Sequence, residues 1–127
     1  MKIEHIAMYV RDLEGMKEFY KTYFGAVSNE KYHNPRTGLS TYFLSFSDGT
    51  RLELMHRPDI AEEKKGLLAV GYIHLAFSAG SRECVDTLTQ QLAEDGFEVF
   101  SGPRTTGDGY YESCILDPEG NQIEIIA

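Results

Sequence analysis

The feature that most constrains this chain is a repeat, because a duplicated unit has to fold twice by the same rules. Lys2-Ile3-Glu4-His5-Ile6-Ala7-Met8 compares with Gly71-Tyr72-Ile73-His74-Leu75-Ala76-Phe77. Each segment sets a His in an apolar stretch of strand character. Each is followed by apolar residues at spacings of three and four: Leu13, Met16, Phe19, Tyr20, Tyr23 and Phe24 in one, Cys84, Val85, Leu88 and Leu92 in the other. That spacing predicts an amphipathic helix. Asp12 and Ser81 are the expected N-caps, and Gly25 and Gly96 the expected C-terminal glycines. The ends match as well: Phe46-Ser47-Asp48-Gly49-Thr50-Arg51-Leu52-Glu53-Leu54-Met55 pairs with Leu116-Asp117-Pro118-Glu119-Gly120-Asn121-Gln122-Ile123-Glu124-Ile125-Ile126, each reading as strand, glycine turn, strand. Gly25 and Gly96, Gly49 and Gly120, and Glu53 and Glu124 are each 71 positions apart. His5 and His74 are 69 apart, so two residues are inserted between the His and the helix end.

Further strand-like runs lie at Tyr42–Phe46, Phe97–Phe100 and Tyr110–Leu116, so each half reads as strand, helix and three strands. The modules are expected at about 1–57 and 70–127 of a single domain, joined by a connection over 58–69 that contains the charged run PDIAEEKKG. The stretches 33–40 (HNPRTGLS) and 101–109 (SGPRTTGDG) read as loops rich in Pro and Gly. At 127 residues the chain can bury a core without disulfides, and Cys84 and Cys114 form no disulfide framework. No apolar run reaches the ~18 residues of a membrane span, and no secretory signal is seen, so a cytoplasmic protein is expected. Twelve basic against 20 acidic residues, net −8, argue against a nucleic-acid or anionic-membrane partner.

Strand alternation sharpens the reading. Ile6, Met8 and Val10 share one face, and Ile3, His5, Ala7 and Tyr9 the other. Leu52 and Leu54 oppose Arg51, Glu53 and Met55. Ile73, Leu75 and Phe77 oppose Tyr72, His74, Ala76 and Ser78, and Ile123 and Ile125 oppose Gln122, Glu124 and Ile126. One face of each strand is apolar and suits packing under a helix; the other carries one His or Glu. A carboxylate facing a dry core costs several kcal/mol unless it is paired or bound to a cation, so these second faces are expected to line a concave, partly wet surface. His nitrogens and carboxylate oxygens suit Zn, Ni, Co, Mn or Fe(II), and four protein ligands leave an octahedral ion two positions for water or substrate. A lone strand His is more often a hydrogen-bonded structural residue, and a lone strand Glu a solvated one. Their recurrence at equivalent points of a repeat favours a site. His33 reads as a loop residue. His56, three after Glu53, falls on the opposite face, with a role at the rim as the alternative reading. Cys84 reads as a buried helix residue, Cys114 as a strand residue, and Asp117-Pro118-Glu119-Gly120 as a turn.

These residues resemble the vicinal oxygen chelate superfamily of glyoxalases, bleomycin resistance proteins and dioxygenases, and within it glyoxalase I. The carriers are His5-Ile6-Ala7-Met8-Tyr9-Val10-Arg11-Asp12-Leu13 with the helix to Phe24-Gly25, then Leu52-Glu53-Leu54, His74-Leu75-Ala76-Phe77, and Asp117 through Ile125. The resemblance implies an α+β fold of two βαβββ modules whose curved mixed sheet makes a metal-lined cleft. It implies one divalent metal held by His5, Glu53, His74 and Glu124, and a homodimer; in many members of the superfamily each site combines modules of two subunits, and in the others it lies within one chain. In some relatives the second ligand is Gln or absent; Glu53 keeps the glyoxalase I order. Three positions depart from glyoxalase I. Tyr9 stands where an Arg contacts the glutathione carboxylate, Arg57 where an Asn is found, and Val70 where some members carry Arg. The expected substrate is therefore a small molecule with two adjacent oxygens, held near Tyr9 or Arg57.

The leading expectation is a lyase or isomerase of the glyoxalase I type, working through a metal-stabilised enediolate with Glu124 as base and Glu53 as second choice. A non-haem iron dioxygenase using His5, His74 and Glu124 is an alternative, weakened by Glu53 in a position that oxygen needs. A metal-free binding module of the antibiotic-resistance kind is the third reading, against which stands the intact ligand set.

Overall fold

The computed structural model describes residues 1–63, 66 and 68–127. Lys64, Lys65 and Leu67, in the expected connection, lie outside the described residues. The chain divides into two compact units, Met1–Lys64 and Lys65–Ala127.

In the first unit β1 (His5–Tyr9) leads into α1 (Leu13–Phe24), followed by the short β2 (Val27–Ser28) and β3 (Tyr32–His33), then β4 (Ser40–Ser45) and β5 (Arg51–His56). The strands lie in the order β1-β5-β4-β2, with β3 also on β4. β1 runs parallel to β5; the other pairs are antiparallel. Asp12 caps α1 by accepting the Gly15 N–H at 2.9 Å, and Gly25 ends it in the left-handed conformation at φ 66°. The helix buries Leu13, Met16, Phe19 and Tyr20 against β4 and β5, where Leu44, Leu52 and Leu54 are fully covered. These are the apolar faces that alternation predicts.

The second unit repeats the plan. β6 (His74–Ser78), α2 (Arg82–Glu94), β7 (Val99–Thr105), β8 (Tyr111–Leu116) and β9 (Gln122–Ile126) form a sheet in the order β6-β9-β8-β7, with β6 parallel to β9. Ser81 caps α2 by accepting the Cys84 N–H at 3.1 Å. The core gathers Val85, Leu92, Ile115, Ile123 and Ile125. The fold is thus α+β, with two mixed sheets and two helices. The turns match too. Gly49 (φ 85°) donates to Phe46 O at 3.0 Å, and Gly120 (φ 82°) to Asp117 O at 2.9 Å. The Asp117 carboxylate is buried and accepts from the Glu119 and Asn121 N–H groups, each at 2.9 Å, so the expected turn is there. The inserted residues lie at the helix end: α1 has 12 residues and α2 has 13, and Asp95 precedes Gly96 as a further cap position.

Three expectations change. Cys84 is exposed, not buried. The stripe of α2 that faces its sheet is Val85, Thr89 and Leu92, and position 84 points away from it. The run 101–109 is not all loop, because β7 extends to Thr105. It does so through two register shifts against β8, between Val99 and Ser101 and between Ser101 and Arg104. Bulges tolerate Gly and Pro where a regular ladder does not. At Gly102, φ is +79° and an added Cβ would lie 2.6 Å from Glu112 O, so glycine is required there. His33 belongs to the short β3, paired to Ser40, and its Nδ1 lies 2.8 Å from Ser40 Oγ. Among the described residues no helix is long and apolar enough to cross a membrane.

Candidate functional site

The parallel pair β1–β5 sets Ala7 opposite Glu53, and β6–β9 sets Ala76 opposite Glu124. In both units the His therefore lies two residues back along the first strand from the residue facing the Glu, on the face turned away from the helix. His5 Nε2 is 3.7 Å from Glu53 Oε2, and His74 Nε2 is 3.2 Å from Glu124 Oε2. Side-chain exposure is 38% and 15% in the first pair and 35% and 20% in the second, so each carboxylate is mostly covered while its His reaches solvent.

The structure brings the four predicted ligands together as two pairs, one to a unit. Among the described residues no group of three or more His, Cys, Asp or Glu is gathered closely enough to hold a metal. Each pair nonetheless suits a shared cation. Bonds of about 2.0–2.2 Å meeting at octahedral to tetrahedral angles separate two donor atoms by about 3.0–3.4 Å. The second pair lies within that range and the first needs only a small closure. Neutral imidazole nitrogen with carboxylate oxygen is a donor set for borderline and hard divalent ions.

The surroundings of the pairs differ. Glu4 meets His5 Nδ1 with one carboxylate oxygen and Arg51 with the other. The hydrogen bond from His5, with Arg51 behind it, holds the Glu4 carboxyl below its ordinary range. Phe43, opposite Glu53 on β4, receives the His5 ring edge-on at 5.3 Å. In the second unit Cys114 on β8 stands opposite Glu124, and its sulfur lies 3.9 Å from Gln122 Oε1. Burial, aided by the charge of Glu124, pushes the Cys114 thiol up to about 11, so it is a neutral neighbour at physiological pH. Burial also raises the Glu124 carboxyl, an effect that His74 opposes.

Tyr9 lies on the His5 face and is 55% exposed. Arg57 follows β5, and its guanidinium forks onto Asp59 at 2.8 and 2.9 Å, with the Tyr9 hydroxyl also beside it. Its donors are thus partly engaged already, which the sequence does not signal. Val70 is exposed. His56 lies on the helix-facing side of β5, where Nδ1 donates to Val10 O at 2.9 Å; the ring ties the end of β5 to the residue after β1. Glu4, Phe43 and Cys114 escape a reading strand by strand. Phe43 and Cys114 become visible only once the register sets them across from Glu53 and Glu124, and Glu4 because it precedes the regular part of β1 and can curl toward its neighbour.

Residues 2–125 match the profile of the Glyoxalase/Bleomycin resistance protein/Dioxygenase superfamily. The uncharacterized protein YwkD of Bacillus subtilis is 37% identical over 127 residues, covering 97% of this chain and 94% of its own. A glyoxylase/bleomycin resistance protein/dioxygenase domain from Frankia sp. EAN1pec superposes with a TM-score of 0.83 at 18% identity, over 99% of this chain and 96% of its own. The trypanothione-dependent glyoxalase I of Leishmania major does so with a TM-score of 0.80 at 21% identity, over 99% and 86%. At those identities the two structures speak for the fold alone. The profile match runs over nearly the whole chain, above the same strand–helix–strand order folded twice, and the chain belongs to the glyoxalase/bleomycin resistance protein/dioxygenase superfamily.

Proposed function

We propose that this protein is a metal-dependent lyase or isomerase of the glyoxalase I type, acting in the cytoplasm as a homodimer on a small substrate with two adjacent oxygens. One divalent ion (Ni, Zn, Co, Mn or Fe) is held by His5, Glu53, His74 and Glu124. The observation that carries the reading is the His–Glu pair recurring in the same strand register in both units, at N–O separations of 3.7 and 3.2 Å. The bound ion supplies Lewis acidity to the paired oxygens, which makes the neighbouring C–H acidic. The chain supplies the base and the means of holding the substrate. Glu124 is the assigned proton acceptor and Glu53 the second choice. Burial raises the Glu124 carboxyl and so strengthens it as a base, and its neighbours along β9 on that face, Gln122 and Ile126, are uncharged. Tyr9 and Arg57 contact the substrate away from the reacting carbon.

Elemental analysis of the purified protein tests the reading most directly. Stoichiometric metal is expected, with sharp loss in His5→Ala and in His74→Ala while circular dichroism stays native, since each His lies opposite the face that packs the core. Unchanged metal content in both variants refutes the ligand set. With Tyr9 and an Asp59-bound Arg57 at the glutathione-contacting positions, the methylglyoxal–glutathione hemithioacetal should turn over with kcat/KM well below about 10⁶ M⁻¹s⁻¹. A value at or above that level in Ni- or Zn-loaded protein would mark an ordinary glyoxalase I.

A further inference from the structure

The first His–Glu pair carries a supporting layer that the equivalent positions of the second unit do not repeat. Glu4 reaches His5 Nδ1 with one carboxylate oxygen and an Arg51 nitrogen with the other. The Arg51 guanidinium lies 4.4 Å from the centre of the Phe43 ring, and the same ring meets the His5 imidazole at 86°. Strand pairing fixes the partners: His5 faces Arg51 across β1–β5, and Phe43 faces Glu53 across β4–β5. An ionised carboxylate only accepts hydrogen bonds, so the His5 nitrogen that faces Glu4 carries the proton. Nε2 is then the nitrogen with the free lone pair, and it is the atom turned toward Glu53. The equivalent positions in the second unit are Ile73, which has no polar side-chain atom, and Gln122, whose amide oxygen lies by the Cys114 sulfur.

We propose that Glu4, held by Arg51, is a positioning residue that fixes His5 as the Nδ1–H tautomer and presents Nε2 to the metal, so that the two halves of the site are unequally preorganised. The proposal rests on the metal reading above. A carboxylate on the outer nitrogen of a ligating His orients the ring and raises its basicity, and loss of such a partner typically weakens metal binding 10- to 100-fold. Glu4 is exposed and precedes β1, so its substitution leaves the core untouched.

Two measurements test it. Nitrogen-15 NMR of the metal-free protein, at alkaline pH where imidazoles are neutral, should show His5 with a protonated Nδ1 and a bare Nε2. Glu4→Ala should shift the ring toward the Nε2–H form. Competition for Zn²⁺ against a chromophoric chelator should show Glu4→Ala weakened about 10- to 100-fold, and Glu4→Gln, which keeps an acceptor without charge, weakened less. Ile73→Ala, at the equivalent position, should stay close to wild type. An Nε2–H tautomer in the wild type, or a Glu4→Ala affinity within about twofold of wild type, overturns the proposal. Failure of the wild type to take Zn²⁺ at all would instead strike the metal reading, and the tautomer result would still judge the role of Glu4.

Discussion

At the residue scale, the second unit buries a pair of hydroxyls at positions where the first buries two tyrosines. Thr89 on α2 and Ser113 on β8 are 4% and 0% exposed, with their oxygens 2.6 Å apart, and Thr89 Oγ1 donates to Val85 O at 2.6 Å. By the repeat offsets of 69 and 71, these positions correspond to Tyr20 and Tyr42 in the first unit. Ser113 thus donates to Thr89, and Thr89 to the backbone, a closed chain with no orphan. Thr89→Val strands the Ser113 hydroxyl in a dry site and should cost about 1–3 kcal/mol in urea unfolding. Thr89→Val with Ser113→Ala removes both polar partners and should recover most of that loss. A double variant as unstable as the sum of the singles would show that packing, not the hydroxyl pair, sets the cost. None of this is legible in the sequence, where Thr89 falls outside the apolar stripe. The four predicted ligands are legible because each is the one His or Glu on the less apolar face of its strand and recurs at the equivalent point of the repeat.

At the scale of elements, α1 is tied to its sheet by a charged knot as well as by its apolar stripe. The Tyr42 hydroxyl on β4 donates to both Glu14 oxygens at 2.9 and 3.1 Å, and Lys17 donates to the same carboxylate at 2.7 Å while lying 4.4 Å over the Tyr42 ring. Lys31 pairs with it too. The hydrogen bonds from Lys17, Lys31 and Tyr42 hold the Glu14 carboxyl down to about 2. A carboxyl lowered in the folded state stabilises that state fully above its unfolded value near 4.5, and the contribution fades as pH falls through about 2. Because Glu14 is 52% exposed, solvent screening limits the effect to about 0.5–1 kcal/mol. Glu14→Gln should lower stability by that amount at neutral pH and by nothing once the pH is well below 2, and added salt should shrink the difference. A deficit independent of pH would point to lost packing instead. The helices are legible because their period, caps and terminal glycines agree. β7 is not, because Gly102 and Pro103 mark both loops and bulges, and only the pairing with β8 distinguishes them.

At the scale of the whole molecule, the proposed homodimer makes a plain expectation. Sedimentation at micromolar concentration should give twice the 14.3 kDa chain mass, with or without metal; a monomer would place all four ligands within one chain. Ni²⁺ or Zn²⁺ at 100 times its Kd should stabilise the wild type by about 2.7 kcal/mol and His5→Ala by much less, read as a shift in Tm. The sequence by itself determined the duplicated strand–helix–strand plan, the inward faces and the four candidate ligands. These follow from local periodicities of two and 3.6 residues and from offsets that can be counted along the chain. Only the tertiary structure decided which side chains meet. That His5 sits with Glu4, Arg51 and Phe43, that His56 faces Val10, that Arg57 is engaged by Asp59 and that Cys84 looks outward depend on strand register, helix rotation and local chain direction. Those quantities are set by how elements pack on one another, and residue spacing within any one element does not carry them.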